Sequence, residues 1–262
     1  MRSTVRGTRR SEKYKSCTLR VPGARPGATL GRDVESYADY CPIAIANEVI
    51  GDRWNPLILR EIMVGSRGFN EIHRGIPRIS RTLLAQRLRM LEGSGLIVRR
   101  PRPEGRAADY VLTDAGSDLQ PILWELGRWA TRWVFGDPTE NQLDTPHLVW
   151  RLHQTTDCDR APRARTTVEF RTHGPGSGRS WLVFEKGAST ACQIDPGYDV
   201  DLLVLAEARE LHRWFMGRTT WREACENEGI RIVGPERLAR AFPDWFVPSE
   251  FHDDVRRALE SS

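Results

Sequence analysis

Arg81, Thr82, Gln86 and Arg89 share one short stretch, and their types suit hydrogen bonding to nucleic-acid bases. An Arg can reach a guanine edge with two parallel N–H donors, and a Gln can do the same for adenine. A Thr can bond a phosphate or touch a thymine methyl. If the stretch is helical, Leu84, Leu88 and Leu91 fall on one face. The four polar residues then lie on the other side, with Ala85 among them and Arg87 on a flank. Ser80 is a suitable N-cap for such a helix, because its hydroxyl can accept a free backbone N–H of the first turn. The bland alternative is a solvated charged face on a scaffold helix.

A second cationic group follows. Arg99, Arg100, Arg102 and Arg106 lie on or beside the tip of a predicted hairpin, with strands at 96–100 and 109–113 and Pro103 and Gly105 in the tip. Cations so placed suit phosphates or a narrow minor groove. Taken with the helix, this is a base-reading element beside a backbone-gripping one.

Other elements must hold these two in place. Ile43, Ala46, Ile50 and Trp54 form a helical stripe over 41–54, punctuated by Gly51 and Pro56. A second helix carries Leu57, Ile58, Ile62 and Met63, and a short third runs over 69–74 before Gly75 and Pro77. After the hairpin, Thr113 caps a long helix in which Leu119, Ile122, Leu126, Trp129 and Trp133 recur at steps of three and four. Pro121 should kink it near its start. Such a seam either covers the core or forms a homodimer contact.

The chain has 262 residues and a net charge of +4, unevenly spread. Residues 1–35 carry nine basic against three acidic side chains, 36–136 carry fourteen against eleven, and 137–262 carry sixteen against twenty-one. The first half therefore attracts a polyanion and the second repels one. Five cysteines, Cys17, Cys41, Cys158, Cys192 and Cys225, have no metal-ligand spacing and are odd in number, which suits a reduced cytoplasmic chain. No metal or cofactor is expected. No apolar run approaches membrane-spanning length, so no membrane partner is expected. The Arg-rich start has no apolar core behind it and is not read as a secretory signal. No nucleophile–base–acid set stands out, so the chain is not expected to be an enzyme. His147 and His153 do not share a helix face, and the Gly-rich run at 174–178 is better read as a hairpin loop than as a phosphate cradle.

The expected organisation is a disordered basic arm (1–35) or a misassigned start, a DNA-binding unit (36–136), a polar linker (137–145), a small α+β domain (146–250) and a tail (251–262). In the α+β domain, strands at 166–171, 181–184 and 199–205 are expected to form an antiparallel sheet. Helices are expected at 208–215, 221–226 and 235–242. Trp150, Trp181, Trp214, Trp221 and Trp245, with six Phe, are dense for its size. They read as a core, or as the lining of an apolar ligand cavity with Trp181, Phe184, Trp214, Phe215 and Trp221 as the candidates.

Residues 41–133 resemble the HxlR-type winged helix-turn-helix regulators of bacteria. The resemblance rests on Tyr40-Cys41-Pro42-Ile43, Ile50-Gly51-Asp52-Arg53-Trp54, Leu57-Ile58-Leu59-Arg60-Glu61 and Phe69-Asn70-Glu71-Ile72. It continues through Ile79-Ser80, Leu88-Arg89-Met90-Leu91-Glu92, Gly95-Leu96-Ile97 and Leu112-Thr113-Asp114-Ala115-Gly116. It implies dimeric, sequence-specific binding of double-stranded DNA with the fourth helix as reader. It also implies a dimer contact between first and last helices, which adds Ile43 to the seam. Some members sense oxidants through the cysteine that Cys41 matches, while many carry it without a sensing role. Cys41 precedes Pro42 at a helix start, where backbone N–H groups favour a thiolate; a small packed residue is the plainer reading.

Residues 146–250 are more faintly similar to sterol-carrier-protein-type domains, through Trp181-Leu182-Val183-Phe184, Asp199-Val200-Asp201-Leu202, the run 215–224 and Ile230-Arg231-Ile232-Val233-Gly234-Pro235. Such domains enclose an apolar tunnel between a sheet and helices. The combined expectation is an α+β cytoplasmic transcription regulator, a homodimer on DNA, with an apolar small molecule as its effector. The alternative is a carrier of lipid-like molecules with secondary nucleic-acid binding.

Overall fold

The computed structural model describes residues 37–101 and 108–261. Contacts divide the chain into two compact units, residues 1–124 and 125–262. The expected basic arm, and Arg102 and Arg106 of the hairpin tip, lie outside the described residues.

The first unit is a small helical bundle with a hairpin. α1 (Pro42–Ile50) leads into α2 (Asn55–Met63), α3 (Phe69–Gly75) and α4 (Arg81–Gly93). Next come β1 (Ile97–Arg100), β2 (Asp109–Leu112) and α5 (Asp114–Asp118). Its core is built from the apolar faces of α2 and α4: Ile58, Leu59, Ile62, Leu84, Leu88 and Leu91 are buried, with Ile72, Ile79 and Ile97 between them. Each such side chain stabilises the unit by roughly 1.5–3 kcal/mol relative to exposure.

Buried polar contacts then set the angles. Glu61 is fully buried and paired to Arg60 Nη2 at 2.8 Å. Its carboxylate occupies the space that a Cβ on Gly75 would need, so α2 and α3 meet closely only because that residue is glycine. Gly116 plays the same part at the hairpin base, where a Cβ would overlap the Leu96 carbonyl oxygen. There Thr113 donates from its backbone N–H to Leu96 O at 3.0 Å and from its hydroxyl to Gly95 O at 2.6 Å. The Thr-Asp-Ala-Gly run is thus a clasp between β1 and the helix that follows β2.

The seam at 114–133 is two helices rather than one kinked helix. α5 stops at Asp118, and α6 (Gln120–Trp133) restarts with Pro121 in its first turn, where the missing N–H costs nothing. The division between the two units falls within α6.

The second unit holds α7 (Thr145–Gln154), β3 (Thr166–His173), β4 (Arg179–Glu185), β5 (Ala188–Cys192), β6 (Leu202–Glu207), α8 (Ala208–Met216) and α9 (Trp221–Glu226). It ends with β7 (Ile230–Val233), α10 (Glu236–Ala241) and α11 (His252–Glu260). The sheet order is β5-β4-β3-β6-β7. It is mixed, not antiparallel as expected, because β6 lies parallel to β3. Leaving edge strand β5, the chain must return past β4 and β3 to reach β6, which reverses its sense relative to a hairpin.

One face of this sheet, through Val168, Phe170, Leu182, Phe184, Leu202 and Val204, packs on an aromatic layer. In that layer Trp214 meets Trp221 at 4.8 Å between ring centroids, Trp221 meets Phe242 at 5.3 Å, and Phe184 meets Trp245 at 5.1 Å.

The expected linker at 137–145 belongs to this second unit. Leu143 and Thr145 are buried. Asp144 caps α7 by accepting from His147 N–H at 2.9 Å, and Arg209 donates to the Pro138 carbonyl. The Gly-rich loop is likewise anchored, since Gly176 O accepts from both the N–H and the hydroxyl of Thr145. The expected tail forms α11, whose Val255 is buried, while the ring of Phe251 fills the space beside Gly127.

Candidate nucleic-acid interface

Ser80 caps α4 as expected, its Oγ accepting from Leu83 N–H at 3.2 Å. With Leu84, Leu88 and Leu91 buried, helical periodicity turns Arg81, Thr82, Gln86 and Arg89 outward, and all four are exposed. Among the described residues, Gln86 and Arg89 have no side-chain partner, so no described residue consumes their donors.

The structure divides the basic residues of α4 by what holds them. Arg81 donates to Asn70 Oδ1 at 2.7 Å and lies over the Phe69 ring at 5.0 Å, so α3 aims it while leaving it at the surface. Arg87 is engaged inward. Its Nη2 pairs with Asp52 Oδ2 at 2.6 Å, with both side chains less than a third exposed, and its Nη1 donates to Met90 Sδ. It ties α4 to the turn after α1, unlike Gln86 and Arg89, whose donors point out. The sequence reading did not foresee Asn70 and Asp52 as the partners that hold these arginines; the Asp52 signal lay in the Ile50-Gly51-Asp52-Arg53-Trp54 stretch, where Asp52 also accepts from Trp54 N–H. Arg78, exposed just before the cap, was also missed.

The hairpin register pairs Ile97 with Leu112, Arg99 with Tyr110 and Arg100 with Asp109. Burial fades along β1 from Ile97 at its root to exposed Arg99, so the cations project from a base anchored in the core. Arg99 and Arg100 have no side-chain partner among the described residues. The segment before α3 adds a third rung that sequence reasoning did not anticipate: Gly68 bridges Asp109, and Tyr110 N–H donates to Arg67 O at 2.9 Å. This stiffens the hairpin where it meets α3.

Apolar surface is left uncovered on α1 and α6, among other places. α1 buries no side chain; Ile43 is 72 % exposed, and Tyr37, Tyr40 and Ile45 are exposed with it. On α6, Ile122, Leu126, Trp129 and Trp133 are all more than half exposed, whereas Leu123 and Trp124 on its other side are buried. Leu119, between α5 and α6, is half-buried. The seam therefore does not cover the core of its own chain. Cys41 is a half-buried free thiol at the N-cap of α1.

The expected apolar cavity is not assembled as foreseen. Trp181 and Phe184 are three apart on β4 and so face opposite sides of the sheet. Phe184 joins the aromatic layer with Trp214, Phe215 and Trp221, whereas Trp181 lies on the other side, with Arg179 over its ring at 5.1 Å.

A helix-turn-helix with an outward polar face, followed by a basic hairpin, defines a winged-helix DNA-binding protein. A profile of the HxlR-like helix-turn-helix family matches residues 49–137. The HTH-type transcriptional regulator YvaP of Bacillus subtilis is 38% identical over 106 residues, which are 40% of this chain and 96% of that one. A regulator from Methanothermobacter thermautotrophicus is 35% identical over 125 residues, 47% of this chain and 92% of its own. Among solved structures, the reduced form of YodB from B. subtilis is 37% identical, over 37% of this chain and 96% of that one, with a TM-score of 0.33. The chain belongs to the HxlR-like helix-turn-helix family of transcriptional regulators; these relatives are regulators, not enzymes. The profile ends at residue 137, so the five-stranded sheet lies beyond it. No helix among the described residues is long and apolar enough to cross a membrane.

Proposed function

We propose that the protein is a homodimeric, sequence-specific transcription regulator in which α4 reads bases and the hairpin holds phosphates. The observation that carries this is the outward face of α4, where Gln86 and Arg89 keep their donors free beside a strand bearing Arg99 and Arg100. Thr82 and Arg81 extend the same face, with Ser80 at its start as a phosphate contact. Arg102 and Arg106, outside the described residues, are further phosphate contacts on sequence grounds alone. The dimer joins the exposed faces of α1 and α6 from two copies, through Ile43, Leu119, Ile122, Leu126, Trp129 and Trp133. Burying side chains of this size is the main favourable term available to such a contact.

The second unit supplies the regulatory input. The sterol-carrier resemblance implies an apolar tunnel between a sheet and helices; supporting a site there, one face of this sheet is helix-covered, and Trp214, Phe215 and Trp221 on that side are only partly buried. An apolar effector enters among these rings by displacing ring–ring contacts, and it changes operator affinity to the extent that it favours one DNA-binding state. Cys41 lies at the start of the helix that dimerisation covers, so any thiol modification there acts through the dimer contact.

The test is selection of bound duplexes from a random pool, followed by footprinting. The expected result is a pseudo-palindrome with half-sites about 10 bp apart or a multiple of it. Recovery of no preferred sequence, or of one isolated half-site, would overturn the reading.

A further inference from the structure

The sheet of the second unit has a second face, turned away from the aromatic layer, and its chemistry is different. Register places Arg179 of β4 opposite Arg171 of β3, Arg171 opposite Leu205 of β6, and Leu205 opposite Arg231 of β7. Three arginines and one leucine thus form a single transverse row on that face. All three arginines are exposed.

Like charges directly across a strand pair repel. Here a buried carboxylate offsets the repulsion between two of them. Glu169, one row inward, accepts from Arg171 Nε at 2.6 Å and Nη2 at 2.9 Å, and from Arg179 Nε at 2.7 Å. Hydrogen bonds from Arg171, then from Arg179, hold its carboxyl below the usual carboxylate range against the opposing effect of burial. Glu169 therefore stays charged, and it fixes both guanidinium planes while leaving each with N–H donors pointing out. Arg231, across Leu205, has no side-chain partner among the described residues.

The end of this row opens into a hollow of about 660 Å³ where β3 and β6 finish and β7 begins. Arg171, His173, Leu205, Cys225, Glu228 and Arg231 are among its lining residues. That volume lies within the range of small-molecule sites, roughly 300–1,000 Å³. Burial pushes the Cys225 thiol up, so it lines the wall as a small apolar group rather than as a nucleophile.

We infer that this hollow is a binding site for a small amphipathic anion, whose carboxylate or phosphate is held between Arg171 and Arg231 and whose apolar body lies on Leu205. Glu228 offers one acceptor for a hydroxyl or amino group of the same ligand. Nucleic acid is the poorer occupant: the site is concave, and residues 137–262 carry five more acidic than basic side chains. The hollow sits at the end of the sheet, where Ile230 and Cys225 of its lining adjoin the aromatic-side core, and it does not depend on the DNA-binding reading.

The experiment uses the full chain and two probes of matched apolar length, octanoate and octanol, followed by calorimetry or by displacement of a fluorescent aryl sulfonate. Wild type should bind octanoate saturably and octanol at least about tenfold more weakly. Arg231→Gln, which breaks no contact among the described residues, should weaken octanoate about tenfold or more, the loss expected for one charge-assisted contact. Arg240→Gln, on α10 and paired to Glu236, serves as the surface control and should bind as wild type does. Equal binding of octanol and octanoate, unchanged octanoate binding by Arg231→Gln, or no saturable octanoate binding by wild type would each overturn the inference. Operator binding is measured separately, so its success or failure is read independently.

Discussion

Arg87 and Arg89 are two residues apart on α4, and the structure assigns them opposite work, which makes their alanine variants a decisive pair. Arg89 is exposed and unpartnered among the described residues, so Arg89→Ala removes no hydrogen bond or ion pair among them. Its melting temperature should match wild type, while affinity for a selected operator falls by about 1–3 kcal/mol and preference at one base position relaxes. Arg87→Ala instead removes the 2.6 Å pair with Asp52. With side chains 23 % and 29 % exposed, this pair lies between a surface ion pair, about 0–1 kcal/mol, and a fully buried one. A loss of about 1 kcal/mol is the reasoned value, or roughly 4–8 °C in melting temperature for a unit near 100 residues. Operator affinity should then change only by what a loosened α4 costs, with base preference intact. Fluorescence anisotropy on operator and shuffled duplexes, beside thermal denaturation followed by circular dichroism, measures both axes. If Arg87→Ala melts as wild type does and loses sequence preference as Arg89→Ala does, the inward assignment is wrong.

Arg100→Ala should weaken operator and shuffled duplexes alike and lower the salt-dependence slope by about one unit; a variant that changes base preference instead would place Arg100 in the readout. Trp129→Ala combined with Trp133→Ala should shift sedimentation toward monomer and weaken operator binding, whereas a wild-type chain that is monomeric at micromolar concentration removes the proposed dimer. Gly116→Ala should destabilise the first unit by about 1–3 kcal/mol, because the new methyl meets the backbone oxygen of Leu96, which has no free rotamer to yield; chemical denaturation with an unchanged midpoint would refute the clasp. His212 is held neutral: burial pushes its pKa down, its Nδ1–H donates to Ala208 O, and its Nε2 accepts from Asp144 N–H. Because the unfolded chain takes up this proton first, its contribution is full above about pH 6.5 and is lost as pH falls toward the lowered folded value. Thermal melts between pH 7.5 and 5.5 should show that loss in wild type and a smaller one in His212→Gln.

The order of local elements could be read without coordinates, because each rests on interactions a few residues long. Leu84, Leu88 and Leu91 recur at helical spacing, and Ser80 and Thr113 are side chains that cap their own next turn. The Gly-rich run at 174–178 could be read as a hairpin loop for the same reason. The outward set on α4 follows from that periodicity alone. Pairing at long range could not be read. Whether Arg87 points to DNA or to Asp52 depends on how closely α4 packs to the turn after α1. That Trp181 and Phe184 cannot line one cavity was, by contrast, already implicit in the strand expected at 181–184, because alternation sets residues three apart on opposite faces. The mixed order of the sheet comes from a crossover past two strands, which no local pattern encodes. The tail became α11 because Val255 and Phe251 find apolar partners far away in sequence. Local chemistry therefore determined which helices and caps form and which face of α4 is polar. Tertiary packing decided which cations remain free and on which side of the second sheet its arginines are gathered, because burial and pairing are set by neighbours that the chain brings together only on folding.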